Sequence, residues 1–428
     1  MTNEPLRLGI VGCGGISVRH VDALRTLRAA GFRSFELAAV CDLREGPARQ
    51  VTRMAAEWLG REPAIYNDIN AMLDAGVVDA LDVTTDAGAH HRVAVPALER
   101  GVHVLVEKPM AITARAGRRM IEAAQRGGAV LSVAENYRRD PIMRLVKAAI
   151  EGGVIGTPRL ATYLSITGNQ HVLLGTSWRH DKLRGGLLLD LLVHAADLLV
   201  YFLGPVKRVY AETGILEEER MMQADAAGAN DWLYRHREDD VPAGSTVRPT
   251  AEDTALGVLR FESGPIGYMA YTSGAPGERL GTHLLHGSRG SLRVPGARSG
   301  RTPVVTPATD EGGAETLDGD ALLERLPGFS LDDVTQRLFD GAARLGRYEV
   351  PTDQVNARLV AYQLEELARC IHGGARPEVD GELGLHAMSV PLALLESGAT
   401  GRAVTLDDVT SLVAEDYQGP INERLGIR

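Results

Sequence analysis

Two kinds of apolar spacing divide the chain. In the first third, short apolar runs alternate with segments whose apolar residues recur every three or four positions. The runs LRLGIV (6–11), FELAAVC (35–41), ALDVTT (80–85), VHVLVE (102–107) and AVLSVAE (129–135) read as strands. SVRHVDALRTLRAA, INAMLDAG, HRVAVPALERG and AGRRMIEAAQRGG carry helical spacing or end at glycine, where helices commonly stop. This alternation predicts a parallel sheet with helices on both faces.

After residue 136 the pattern changes. A helix over 141–151 leads to a strand, PRLATYLSI, then a basic loop, then a long apolar helix near 186–203. VKRVYAETGIL, TALGVLRFES, IGYMAYTS and THLLHGS read as strands of an open, mixed, largely antiparallel sheet. A helix near 353–373 and the segment LGLHAMSVPLALLESGAT complete the chain. Two stretches read as surface insertions: 217–253, which is acidic, and 296–320, rich in Gly, Thr and Pro. The fold class is therefore α/β. An N-terminal parallel-sheet domain (1–136) precedes an α/β domain with an open mixed sheet (137–428).

Composition narrows the function classes. The 428 residues carry a formal net charge of -10, whereas a nucleic-acid binder usually shows a basic surplus. No apolar run reaches the roughly 20 residues of a membrane helix. The segment MTNEPLRLGI has no basic stretch followed by a long apolar one, so no secretory signal is read there. Cys13, Cys41 and Cys370 are scattered, form no metal spacing and suit a reducing cytoplasm, the expected location.

GIVGCGGIS (9–17) falls between a strand and a helix, the context of a dinucleotide-binding loop. Gly12 permits the tight turn, Gly14 lets the backbone approach a pyrophosphate, and Gly15 and Ile16 open a helix whose free N–H groups attract it. Ser17 stands where a third glycine is usual. Taken alone the loop also fits a plain tight turn. Asp42 ends the second strand, where a carboxylate accepts hydrogen bonds from ribose hydroxyls and favours NAD over NADP. Its interval from the loop is longer than usual, and Arg44, two residues on, tolerates a phosphate.

Two further patterns carry chemistry. HVLVEKPM places Glu107, Lys108 and Pro109 at the carboxyl end of a strand, where such sheets bind ligands. RGGLLLDLLVHAADLL places Asp190 and His194 one helical turn apart on one face. That pair also fits an ordinary solvated face, or two metal ligands, although no third ligand has a helpful spacing. Asp197 continues the stripe as a structural residue. His90, beside His91, fits a helix cap, and Tyr137 fits packing.

At these motifs the sequence resembles the glucose–fructose oxidoreductase, inositol dehydrogenase and rhizopine-catabolism (Gfo/Idh/MocA) family. The resemblance runs through GIVGCGGIS, HHRVAVPALERGVHVLVEKP, NYRRDP and GGLLLDLLVHAADLL to the C-terminal ARCIHGGARPEVDGELGLHAMSVPLALLESGATGRAVTL. It implies a Rossmann domain, a second domain that binds substrate on one sheet face and often dimerises through the other, and a homodimer or homotetramer. It implies that Lys108 bonds the reacting hydroxyl, that His194 is the acid/base, and that Asp190 orients substrate or histidine. Thr84, His90, Glu107, Lys108, Trp178 and Arg179 are then expected near the cofactor. Lys108, Arg138, Arg179, His180, Lys182, Asp190 and His194 are expected near the substrate, and no metal is expected.

The activity implied is NAD-dependent oxidation of a secondary hydroxyl of a sugar, polyol or glycoside. Two other readings share the same residues. One is glycoside hydrolysis by transient oxidation, elimination, water addition and re-reduction. The other is a dinucleotide-binding sensor without turnover. The loop TSWRHDKLRGG (176–186), with Arg179, His180, Lys182 and Arg184, reads either as a grip for an acidic sugar or as a solvated or subunit-contact loop.

Overall fold

The computed structural model describes residues 4–224, 241–308 and 315–428. The first unit runs β1 (Leu6–Val11), α1 (Gly15–Ala29), β2 (Phe35–Cys41), α2 (Glu45–Leu59), β3 (Ala64–Tyr66), α3 (Ile69–Asp74), β4 (Ala80–Val83), α4 (His90–Glu99), β5 (His103–Val106), α5 (Ala114–Gly127) and β6 (Leu131–Val133). Its six strands are all parallel, in the order β3-β2-β1-β4-β5-β6. The order reverses between β1 and β4, so a crevice opens at the carboxyl ends of the central strands.

Two of these elements go beyond the apolar pattern. α2 buries Pro47, Ala48, Val51, Thr52 and Ala55, mostly small residues that leave a faint stripe. β3 is three residues long and largely exposed.

The second unit begins with α6 (Pro141–Glu151), capped by the Asp140 side chain and started by Pro141. It continues through β7 (Pro158–Ile166), α7 (Leu187–Leu203), β8 (Val206–Gly214), β9 (Arg220–Met221), β10 (Thr246–Val247), β11 (Thr254–Phe261), β12 (Ile266–Thr272), β13 (Leu280–Gly287), β14 (Gly290–Arg293), β15 (Val304–Pro307), β16 (Leu317–Asp318) and β17 (Val404–Thr405). Nine strands form one sheet in the order β16-β15-β14-β13-β7-β12-β11-β8-β17. Only β7 and β12 pair in parallel. The short pair β9–β10 stands apart.

The stretch 296–320, expected as an insertion, contributes β15 and β16 to the sheet edge, and 309–314 lie outside the described residues. Within 217–253 the described parts supply β9 and β10, and 225–240 lie outside the described residues.

α7 and the helix Gly381–Thr400 cover one face of the large sheet. The other face exposes Leu160, Tyr210, Leu256, Val258, Ile266 and Tyr268 on neighbouring strands. The helix Thr352–Gly373 returns to the first unit and packs on α1. There Val355, Leu359, Leu364 and Leu367 join Val21, Leu24 and Leu27 in one core. The first sheet therefore depends on chain more than 200 residues beyond its last strand.

α7 decides the chemistry of the site. All of its residues except Leu191 and Tyr201 are buried, as expected of a helix apolar on every side. Asp190, His194 and Asp197 are therefore inside the protein, which rules out a solvated face. Each needs a partner to offset its lost hydration.

Candidate active site

The glycine loop is shaped by contacts that only bare backbone allows. Gly12 has φ +93°, and a Cβ there would lie 2.7 Å from the Thr85 amide nitrogen. The Thr84 hydroxyl donates to the Gly12 carbonyl at 2.7 Å, so Thr84 braces the loop from below. A Cβ on Gly14 would meet nothing within 4 Å, and no side chain caps α1 at this residue. No side chain of the protein caps the start of α1, which leaves its first N–H groups available to an anion. Ser17 fits beneath, fully buried. The Asp42 carboxylate accepts from the Cys13 amide at 2.8 Å and from the Arg44 amide at 2.9 Å. It stays partly exposed at the end of β2, with lone pairs left for a ribose. These features fit a dinucleotide.

The end of β5 is held by a buried charge chain. His20 of α1 lies between Asp82 of β4 (2.7 Å) and Glu107 (3.0 Å). Burial opposes its charge, but the two carboxylates push its pKa up to about 10. Glu107 is itself kept below its ordinary range, the cost of burial being outweighed by His20. Its second oxygen accepts from the Lys108 amide at 3.1 Å. The next peptide, Lys108–Pro109, is cis. His90 reaches the Pro109 carbonyl at 3.0 Å and the Thr85 carbonyl at 3.1 Å, tying this corner to the turn after β4. His90 and Glu107 therefore position Lys108.

The Lys108 ammonium donates to the Asp190 carboxylate at 2.8 Å and to its carbonyl at 3.0 Å. Arg179 donates to the other Asp190 oxygen at 2.8 Å. Burial disfavours all this charge, yet Lys108 and Arg179 hold the Asp190 carboxyl well below the usual range. Asp190 in turn keeps Lys108 protonated.

His194 does not pair with Asp190, although the two lie one helical turn apart on α7. Its Nδ1 lies 2.7 Å from Oε2 of Glu135, just beyond β6. Tyr137 stacks on its ring at 3.9 Å with planes 5° apart, and the Arg298 guanidinium covers the far face of Tyr137 at 4.5 Å. Burial, Lys108 and Arg298 push the His194 pKa well below its ordinary value, so the ring is neutral. Its Nε2 has no protein partner among the described residues.

Several expectations are corrected. Arg138 does not face a substrate, because it is buried against Asp197 of α7, with Nε to Oδ2 at 2.8 Å. His180 is buried, and its Nε2 already accepts from the Leu173 amide at 3.1 Å. Gly185 accommodates the Trp178 ring, which a Cβ would approach to 3.2 Å. Trp178 stacks with Arg179 at 4.3 Å. Arg184 pairs with Asp86 at 3.0 Å, and Lys182 lies over the Tyr417 ring at 5.8 Å. Carboxylates of the protein thus take up the two arginines of the basic loop. The loop itself docks on the first unit, where the Gly88 amide donates to the Arg184 carbonyl at 3.2 Å.

Glu135, His20, Asp82 and Arg298 were not among the residues singled out from the sequence. Glu135 closes an expected strand beside β5, and that strand-end position was its one signal.

Comparison with known proteins agrees with this architecture. Residues 6–135 match the oxidoreductase family with an NAD-binding Rossmann fold, and residues 143–293 match the Gfo/Idh/MocA C-terminal domain. The chain belongs to the Gfo/Idh/MocA oxidoreductase family. It is 27% identical over 403 residues to a D-apiose dehydrogenase of Paraburkholderia graminis, covering 93% of this chain and 88% of that one. It is 30% identical over 300 residues to a levoglucosan dehydrogenase of Pseudarthrobacter phenanthrenivorans, covering 68% and 73%. The crystal structure of the WlbA dehydrogenase from Bordetella pertussis, in complex with NADH and UDP-GlcNAcA, superposes with a TM-score of 0.66 at 26% identity over 95% of this chain and 99% of that one.

Proposed function

We propose that this protein is an NAD-dependent dehydrogenase that oxidises a secondary hydroxyl of a sugar or polyol. One observation carries the reading: a neutral histidine of α7 with an open Nε2, His194, lies one helical turn from Asp190, which holds the half-buried ammonium of Lys108. His194 Nε2 takes the hydroxyl proton, the role of a positioned base. Lys108 stabilises the negative charge that develops on the oxygen. A nicotinamide dinucleotide, when bound, supplies the hydride acceptor. Gly12, Gly14, Gly15, Ile16 and Asp42 would hold it, and Asp42 would select NAD over NADP through the ribose. Dehydrogenase relatives named for sugars support the substrate class.

Residues 1–136 form the cofactor unit in this reading and 137–428 the substrate unit. We also propose that two copies assemble through the exposed apolar face of the nine-stranded sheet. Among the described residues, no helix is long and apolar enough to cross a membrane.

The test is a panel of sugars and polyols mixed with the protein and NAD, read by NADH absorbance. Reduction by at least one member supports the reading. Tight dinucleotide binding with no reduction and no release of any group from glycosides would replace it with a binding role.

A further inference from the structure

We propose that Glu135 is the positioning residue that sets the tautomer of His194 and is where the proton from the oxidised hydroxyl comes to rest. The proposal rests on the dehydrogenase reading above. Its geometry is the 2.7 Å contact between Glu135 Oε2 and His194 Nδ1, in a ring plane fixed by Tyr137. Nδ1 has no other partner among the described residues, so the state of Glu135 decides which ring nitrogen carries the proton.

When Glu135 is ionised, Nδ1–H donates to it and Nε2 is bare, the form that accepts a proton from the substrate. When Glu135 is protonated, its O–H donates to Nδ1 and Nε2 carries the hydrogen. Oxidation of the hydroxyl links these two states. The substrate O–H bond breaks as Nε2–H forms, and Nδ1–H breaks as Oε2–H forms. The electron pair of the substrate C–H bond leaves with its hydrogen as hydride, for which NAD is the acceptor. One proton is gained by the pair, and no separated charges are left behind in a buried site.

The surroundings favour this end state. Glu135 is fully buried, and its other oxygen, Oε1, has no partner among the described residues, so the neutral acid is the cheaper form to bury. Lys108 and Glu107 face it from the end of β5, Arg138 from the turn after β6, and Asp190, His194 and Asp197 from α7. Burial pushes its pKa up to about 8, against the pull of Lys108 and Arg138. Burial, and then Lys108 and Arg298, keep the charge off His194.

The test needs no turnover. The full chain, labelled with nitrogen-15 histidine, is titrated from the acid to the alkaline side of about pH 8. The nitrogen shifts of His194 are assigned by difference from His194→Gln. The expected result is an Nε2–H ring on the acid side and an Nδ1–H ring on the alkaline side. The switch should be absent in Glu135→Gln and retained, at a shifted midpoint, in Glu135→Asp. A single tautomer throughout, a positively charged ring on the acid side, or an unchanged switch in Glu135→Gln would each overturn the proposal.

NAD binding in each variant reports that the fold is intact. In the kinetic arm, hydroxyl oxidation rises across the same pH range. Glu135→Gln lowers kcat about a hundredfold, with little change in KM, and removes that rise. Failure of the protein to reduce NAD with any substrate would sink the dehydrogenase reading and leave the tautomer result to stand or fall by itself.

Discussion

The carboxylate of Asp190 grips Lys108 at 2.8 Å, not the histidine one helical turn further along α7. Lys108 and His194 consequently have separate supports, Asp190 with Arg179 for one and Glu135 with Tyr137 for the other. Loss of either support should impair its own residue first. Lys108→Ala and His194→Ala are each expected to lower turnover by a factor of about a hundred to ten thousand with NAD affinity preserved. Steady-state kinetics beside NAD titrations check this, and near-normal turnover in either variant would displace the site.

Asp190→Ala should behave differently from both. It leaves the Lys108 ammonium and the Arg179 guanidinium without their shared anion in a buried place. Removing one partner of a buried ion pair typically costs about 3–5 kcal/mol. The variant is expected to melt well below the parent as well as lose activity. A melting temperature equal to that of the parent would show that Asp190 carries no structural role.

Much of this arrangement is legible in the amino-acid pattern, because the first sheet is built from short apolar runs at strand spacing and the glycine loop has its own composition. Lys108, Asp190 and His194 stand out for the same reason: each sits in a distinctive local string. Their partners do not. Glu135 lies 59 residues from His194, and Arg298 lies 161 residues from Tyr137. Packing of the two units brings the first pair together, and the fold of the second unit brings the other. Helical spacing suggested an Asp190–His194 pair, but it ignored that α7 is buried on nearly every side and that each polar residue can seek a partner from a different neighbour. α2 escaped for the opposite reason, since its buried positions are mostly too small to mark a stripe.

Gly12 offers a test of the cofactor loop that does not involve the reacting groups. Its φ of +93° and the 2.7 Å approach of a Cβ to the Thr85 amide nitrogen leave no room for a side chain. Gly12→Ala is expected to weaken NAD binding at least tenfold, whereas Gly14→Ala, whose Cβ enters open space, should fold normally and lose affinity only through the crowded ligand. Equal NAD affinity in Gly12→Ala and the parent would refute the assignment of this loop.

The open sheet face predicts an assembly. Val258 lies opposite both Tyr210 and Tyr268 in the ladder, and all three side chains are exposed. Val258→Lys combined with Tyr268→Glu should shift the protein to a smaller species in sedimentation while NAD binding persists. A parent protein that sediments as a monomer would remove this face from consideration.

The buried His20 predicts how stability responds to alkali. The ordinary pKa of the ring is 6.5, and in the folded protein it is pushed up to about 10 by Asp82 and Glu107. Between those values the folded chain holds a proton that the unfolded chain has released. Raising the pH through that window therefore favours unfolding. The contribution of His20 is complete below 6.5 and is lost as the pH passes about 10. Melting temperatures of the parent should fall steadily across this window. His20→Gln cannot bind that proton, so its melting curve should start lower and decline less steeply, converging toward the parent at the alkaline end. Because Glu107 also steadies the Lys108 amide, the variant should lose turnover at neutral pH, with a larger effect on kcat than on NAD affinity. Parallel melting curves for parent and variant across the whole window would mean that His20 is neutral in the folded protein and that the charge chain behind Lys108 does not exist.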